Sequence, residues 1–178
     1  MLSFLFLYKC ILILMRPITE YLSNKIKKSY YTNYIKATND TIHKIVKDEL
    51  DRFGHDADLN HIDVSNVTDM SFVFCARALN TKCLGFEYDD INPNISKWDV
   101  SNVVNMEHMF YYCERFNCDI SEWDVSKVEN MYAMFYRCKK FYQDLHDWNA
   151  ENVKSYSYMF SDRMVKKKKY WPKAFPWE

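Results

Sequence analysis

Only two glycines, Gly54 and Gly85, occur in the 178 residues. That shortage excludes the glycine-rich loops that cradle phosphate, of both the dinucleotide-binding and the P-loop kind, and the Gly-x-Ser-x-Gly turn that presents a nucleophilic serine. Net charge is missing too. Lys plus Arg and Asp plus Glu both number 24, so no global field draws the chain to nucleic acid or to an acidic membrane. No Cys-x-x-Cys occurs among the six cysteines, and His43, His55, His61, His108 and His146 form no metal-binding pair at helical spacing. The densest group of potential ligands is His55, Asp56, Asp58 and His61, which a capped turn explains. No catalytic residue, cofactor or metal site is expected.

What the chain has in excess is aromatic residues, and they are periodic. Trp98, Trp123 and Trp148 recur every 25 residues, as do Phe110, Phe135 and Phe160. An earlier copy is offset by 36 residues, because Asp63-Val64-Ser65 aligns with Asp99-Val100-Ser101. About 11 extra residues therefore bulge around Thr81 to Asp90. In that register Ile62 takes the Trp column, Phe74 the Phe column, and Ile91 the position later held by Phe116 and Phe141. All are apolar, as core columns should be. A unit this short cannot bury its apolar face alone, so the copies must stack.

Within a copy, Val103, Met106, Met109, Phe110 and Cys113 fall within an arc of about 120° at 100° per residue, which predicts a short helix. The set recurs as Val128, Met131, Met134, Phe135 and Cys138, with Ser101 and Ser126 as N-caps and a capping box from Ser126 to Glu129. Phe116, Cys118 and Ile120 alternate with Asn117 and Asp119, the period of a short strand. Short parallel strands and short helices in alternation give an α/β repeat, a leucine-rich-repeat-like solenoid, with a pure β-solenoid as the alternative. The Asp63, Asp99 and Asp124 column points to a turn or capping role, since catalytic groups rarely repeat in every copy.

The expected organisation is an apolar segment over 1–15, a helical N-terminal cap over 16–57, four copies over 58–160 and a basic and aromatic tail over 161–178. In the cap, Ile42, Ile45, Val46, Leu50 and Phe53 share one helical face, and Gly54 follows as a C-terminal stop. In the tail, Lys166 to Lys169 precede aromatics that either fold over the last copy or serve as a docking peptide. Residues 1–15 include Lys9 and are shorter than a membrane span of about 20 residues. A mis-assigned start with translation from Met15, a weak signal or anchor, and a buried helix all remain open. Membrane contact is expected only through this segment. Cys113 and Cys138 stand in one column, too far apart for a disulfide if helices stack, and read as buried thiols. Cys75 and Cys83 flank the insertion, where a local bridge stays open.

The string Ile-Ser-x-Trp-Asp-Val-Ser-x-Val-x-Asn-Met-x-x-Met-Phe, spelled by Ile95 to Phe110 and again by Ile120 to Phe135, resembles the repeat of BspA-type leucine-rich repeat surface proteins, which is also found in mycoplasma-type lipoproteins. The resemblance runs from Asp58 to Phe160 and implies a cell-surface or extracellular protein with a host or neighbouring-cell protein as partner. A cytoplasmic location follows instead if translation starts at Met15. The chain thus reads as a non-enzymatic protein-interaction module, with an intracellular scaffold or spacer as the alternative. The outward candidates for partner binding are Asn94, Ser96, Asp119, Ser121, Asp144 and His146.

Overall fold

The computed structural model describes residues 34–77, 79–160, 164 and 166–175. The chain divides into two units, 1–34 and 35–178, and the elements that follow belong to the second. The apolar segment 1–15 and the start of the expected cap lie outside the described residues.

The amphipathic face of the cap folds as the periodicity requires. Helix α1 spans Ile42–Phe53 and buries Ile42, Val46 and Leu50, with Ile45 and Phe53 packed partly beneath it. It stops at Gly54, whose φ of 87° is open to glycine and costly for other residues, and whose N–H donates to the Leu50 carbonyl at 2.8 Å. The cap is not wholly helical, however. Strand β1, Ile35–Lys36, pairs in parallel with β2, Ile62–Asp63. The N–H groups of Ile35 and Ala37 donate to the carbonyls of His61 and Asp63. A pair this short leaves too little alternation to be read from sequence. Beneath α1, Glu49 and His61 meet at 2.8 Å, both buried. The pair bolts the helix to the first copy, and removing one partner would cost the other its buried bond.

The copies stack in parallel. Asp69, Asn105, Asn130 and Ser155 occupy equivalent positions and are bridged one to the next. Met70 N–H donates to the Asn105 carbonyl at 2.8 Å, Met106 N–H to Asn130 at 2.8 Å, and Met131 N–H to Ser155 at 2.7 Å. Alternate residues continue the series: the N–H groups of His108, Phe110 and Tyr112 reach the carbonyls of Tyr132, Met134 and Tyr136. The residues between them, Met109, Tyr111 and Cys113, donate back to Met106, His108 and Phe110 within their own copy. Every donor of the segment is thereby used, half between copies and half in local turns.

This arrangement replaces the expected helices. No helix forms over Val103 to Cys113 or Val128 to Cys138; among the described residues α1 is the one α-helix. A helix would direct each N–H four residues back along its own chain, and here alternate N–H groups leave for the next copy. Successive three-residue turns bring apolar residues to one face at nearly the helical interval, so the burial forecast survives: Val103, Met106, Met109, Phe110 and Cys113 are all buried. The turns need left-handed residues. Phe72, His108, Ala133 and Tyr158 form one column at φ of 51° to 64°, and Tyr112 and Arg137 add two more. Non-glycine side chains are uncommon there, so the stack must hold them in place.

The strand expected at Phe116 to Ile120 also differs. Burial alternates as foreseen, with Phe116 and Ile120 inside and Asn117 and Asp119 exposed, but side chains take over the hydrogen bonds. Asn117 N–H donates to Asn92 Oδ1, and Asn117 Oδ1 accepts from Tyr142 N–H, each at 2.8 Å. Ser101 and Ser126 likewise cap no helix. Their N–H groups donate to Asp99 and Asp124 Oδ1 at 3.1 and 3.0 Å, closing tight turns.

Aromatic columns run through the core. Phe74, Phe110, Phe135 and Phe160 stack with centroids 5.2, 5.4 and 5.9 Å apart, and Phe116 and Phe141 pack against Phe110 and Phe135 at 4.0 Å. Each indole N–H of the Trp column donates to the preceding copy: Trp98 to Leu59 at 2.9 Å, Trp123 to Ile95 at 3.4 Å and Trp148 to Ile120 at 3.1 Å. Cys113 and Cys138 thiols donate to the Phe74 and Phe110 carbonyls. All five described cysteines are free, Cys75 and Cys83 included.

The insertion is anchored rather than loose. Leu84 N–H donates to the Cys75 carbonyl at 2.9 Å, a 3₁₀ turn covers Phe86–Tyr88, and the buried Tyr88 places its hydroxyl on Lys47 and Asp51 of α1. At the other end the tail packs on the last copy. Leu145 N–H donates to Tyr170, Phe175 stacks on Tyr156 at 4.2 Å, and Trp171 approaches Phe160 at 4.9 Å.

Candidate functional site

The six candidate residues fall into three pairs, one per copy. Asn94, Asp119 and Asp144 each accept, through Oδ1, the N–H of the residue two further on: Ser96 at 3.3 Å, Ser121 at 3.0 Å and His146 at 3.0 Å. Ser96 and Ser121 add their hydroxyls to the same oxygens at 2.9 and 2.8 Å. Asp58 and Asn60 make the same turn in the first copy, and Asp58 is bridged to Asn94. The pairs therefore form a single row along the stack.

Short polar side chains close such turns because their oxygen reaches a backbone N–H two residues ahead. The turn holds the carboxylate ionised. The Ser121 N–H, then its hydroxyl, keeps the Asp119 carboxyl below the ordinary range. Asn94, Asp119 and Asp144 are exposed, and Ser96, Ser121 and His146 are half-buried. Among the described residues no hydrogen bond engages the second oxygen of Asp119 or Asp144. The row thus presents polar groups fixed by their own turns in successive copies, the Asn94 amide and then the Asp119 and Asp144 carboxylates, an arrangement suited to polar recognition.

The group His55, Asp56, Asp58 and His61 is dispersed among other partners. His55 meets Asp90, Asp56 meets Arg115, Asp58 serves its own turn, and His61 is committed to Glu49. Among the described residues no three His, Cys, Asp or Glu side chains gather as metal ligands, and no helix is long and apolar enough to cross a membrane.

Two cavities escaped the sequence reading. One, of about 600 Å³, lies between α1 and the insertion and is lined by His43, Lys44, Asp69 and Lys82 among others. Its three lysines are committed, Lys44 to Asp48, Lys47 to Asp51 and Lys82 to Asp69. The other, of about 280 Å³, is walled by His108, Tyr111, Tyr132, Tyr136 and Tyr158 over Ala133. The clustering of Tyr at neighbouring repeat positions was the available signal for it.

Copies joined by parallel bridges, with columns of Trp, of Phe and of Asx turns running from copy to copy, define a protein of stacked short repeats. The chain belongs to a particular family of these sequences: the Mycoplasma proteins of unknown function, DUF285, match residues 44–171, from within α1 to the tail. No curated protein and no solved structure matches it.

Proposed function

We propose that the chain is a non-enzymatic protein-interaction module, a leucine-rich-repeat-like solenoid of the BspA type that acts at the cell surface and binds a protein ligand along the row of Asx turns. The observation that carries this reading is the regular presentation of exposed Asp119 and Asp144, one per copy, each fixed by its own turn. The bridged series Asp69, Asn105, Asn130 and Ser155 supports the solenoid reading. A partner meeting such a row gains specificity from charge spacing at little cost in ordering the side chains.

The test is cross-linking of the full tagged chain in cells of its native source. Asp119→Asn with Asp144→Asn keeps the Oδ1 acceptor that closes each turn and removes the charge. Loss of the cross-linked protein with the chain still folded by circular dichroism is expected; an unchanged cross-linking pattern would remove this face. Protease treatment of intact cells reads the location in the same preparation.

An intracellular scaffold is the second reading. The five described cysteines are free thiols, as suits a reducing compartment. Protection of the chain in intact cells, with cleavage only after lysis, is the result that reading expects.

A further inference from the structure

The left-handed column Phe72, His108, Ala133 and Tyr158 has a ring in every copy but the third. Phe72 and His108 stack at 5.0 Å and 7°. Ala133, 2% exposed, then leaves a methyl where its neighbours carry rings. Tyr132 stands across the gap, edge-on to His108 at 5.3 Å and 62° and to Tyr158 at 5.9 Å and 84°. On the other side Tyr111 meets His108 at 4.8 Å and 67° and stacks on Tyr136 at 5.2 Å. Five rings, with His108 and Tyr132 nearly perpendicular to their neighbours and Tyr111 stacked on Tyr136, thus line an open recess of about 280 Å³ over the methyl floor. That is slightly below the roughly 300–1,000 Å³ typical of pockets for drug-sized ligands.

We propose that this box binds a small trimethylammonium cation, free or at the end of a lipid headgroup. Aromatic faces are electronegative, and walls set at right angles present several of them to one guest. The lining contains no Lys or Arg. Against the buried Nδ1 of His108 the Glu107 carboxylate lies at 3.3 Å and accepts from Asn130 Nδ2 at 3.3 Å, adding negative potential behind this wall. Burial holds the His108 imidazole below its usual range, so this wall carries no positive charge near neutral pH. Tyr112, next along the row, already carries the Arg77 guanidinium 4.1 Å above its ring, which shows that rings in this row accept cations. A quaternary ammonium has no N–H to satisfy, which suits a site made of ring faces better than a lysine ammonium with its three donors.

The site lies on a different column from the Asx turns, so the proposal stands independently of the reading given above. The test is titration of the full chain with choline and with 3,3-dimethyl-1-butanol, its uncharged isostere, followed by calorimetry or by NMR of labelled Tyr rings. Choline is expected to bind at least tenfold tighter than the isostere. Ala133→Phe fills the gap with a ring at a φ that His108 and Tyr158 already adopt, and should abolish binding. Tyr158, 66% exposed, can be replaced by Ala with little effect on folding, and Tyr158→Ala should weaken choline binding severalfold with an unchanged melting temperature. No choline binding at millimolar concentration, equal binding of the isostere, or undiminished binding by Tyr158→Ala would each overturn the proposal. Flotation with phosphatidylcholine vesicles distinguishes the source: co-flotation abolished by Tyr158→Ala assigns the lipid headgroup, and choline binding without flotation assigns the free cation.

Discussion

The rings of Phe110 and Phe135 lie 5.4 Å apart and within 3° of parallel, each from a different copy of the repeat and each fully buried or nearly so. This spacing is one step of the stack. It ties the copies together through the same residues that form the core, so neither copy can lose its ring without loosening the other.

Phe135→Ala should therefore be severe. It opens a cavity between Phe110, Phe141 and Phe160, and a cost of about 3–5 kcal/mol is expected, against a smaller loss for Phe135→Leu. Urea unfolding followed by circular dichroism measures both. Equal, small losses would mean that the ring column adds nothing beyond apolar volume.

The indole of Trp98 donates to Leu59 across the first interface. Trp98→Phe keeps a ring but removes one of the two donors on the Leu59 carbonyl, which retains the Ile62 N–H at 3.0 Å, so the lost bond adds about 0.5–1.5 kcal/mol to the volume lost. Trp148→Phe, at the equivalent position, should behave alike. Denaturant midpoints of the two variants would settle the matter, and a Trp98→Phe protein as stable as the parent would refute it.

Thiol reactivity should follow depth in the stack. Burial pushes the Cys113 thiol well above its usual range, and Cys138 is buried as well, whereas Cys83 is only partly covered. In a native chain alkylated at pH 8, Cys83 should be modified before Cys113 and Cys138, which should react only on unfolding. Peptide mapping by mass spectrometry gives the order; early modification of Cys113 would contradict the packing.

Acid should weaken the fold in two windows. Burial lowers the His43 pKa, and its Nε2 bonds the Ser71 carbonyl at 2.8 Å. The unfolded chain then binds the proton more readily, so this contribution is complete above about pH 6.5 and is lost as pH falls toward the folded value. The Asp63, Asp119 and Asp124 carboxyls are lowered by bonds from Ser65, Ser121 and Ser126. Their contribution is lost only below about pH 3.9. His43→Gln should shrink the upper window, to which the half-buried His108 also contributes, and leave the lower one; chemical denaturation from pH 8 to 3 reads both.

Much of the architecture was legible because repetition averages out local ambiguity. The 25-residue interval, the 36-residue offset of the first copy, the buried columns and the amphipathic face of α1 all follow from where apolar residues recur. The conformation between Val103 and Cys113 was not legible. A series of three-residue turns and a helix bury nearly the same positions, and the choice between them lies in where the His108 and Phe110 N–H groups go. Of the six outward candidates Asn94, Asp119 and Asp144 lie exposed and Ser96, Ser121 and His146 half-buried, and the turns that join them appear only when the partners two residues on are seen.

Recurrence along the chain thus determined by itself that copies must stack and which side chains fill the core, since burial is a property of residue type summed over many positions. Only the tertiary structure decided the path of the backbone. Each N–H of Met106, His108, Phe110 and Tyr112 finds its carbonyl in the following copy, and a bond between copies does not exist until the copies meet. The same meeting holds six non-glycine residues at positive φ and leaves a box of rings around Ala133, where one copy lacks the side chain its neighbours share.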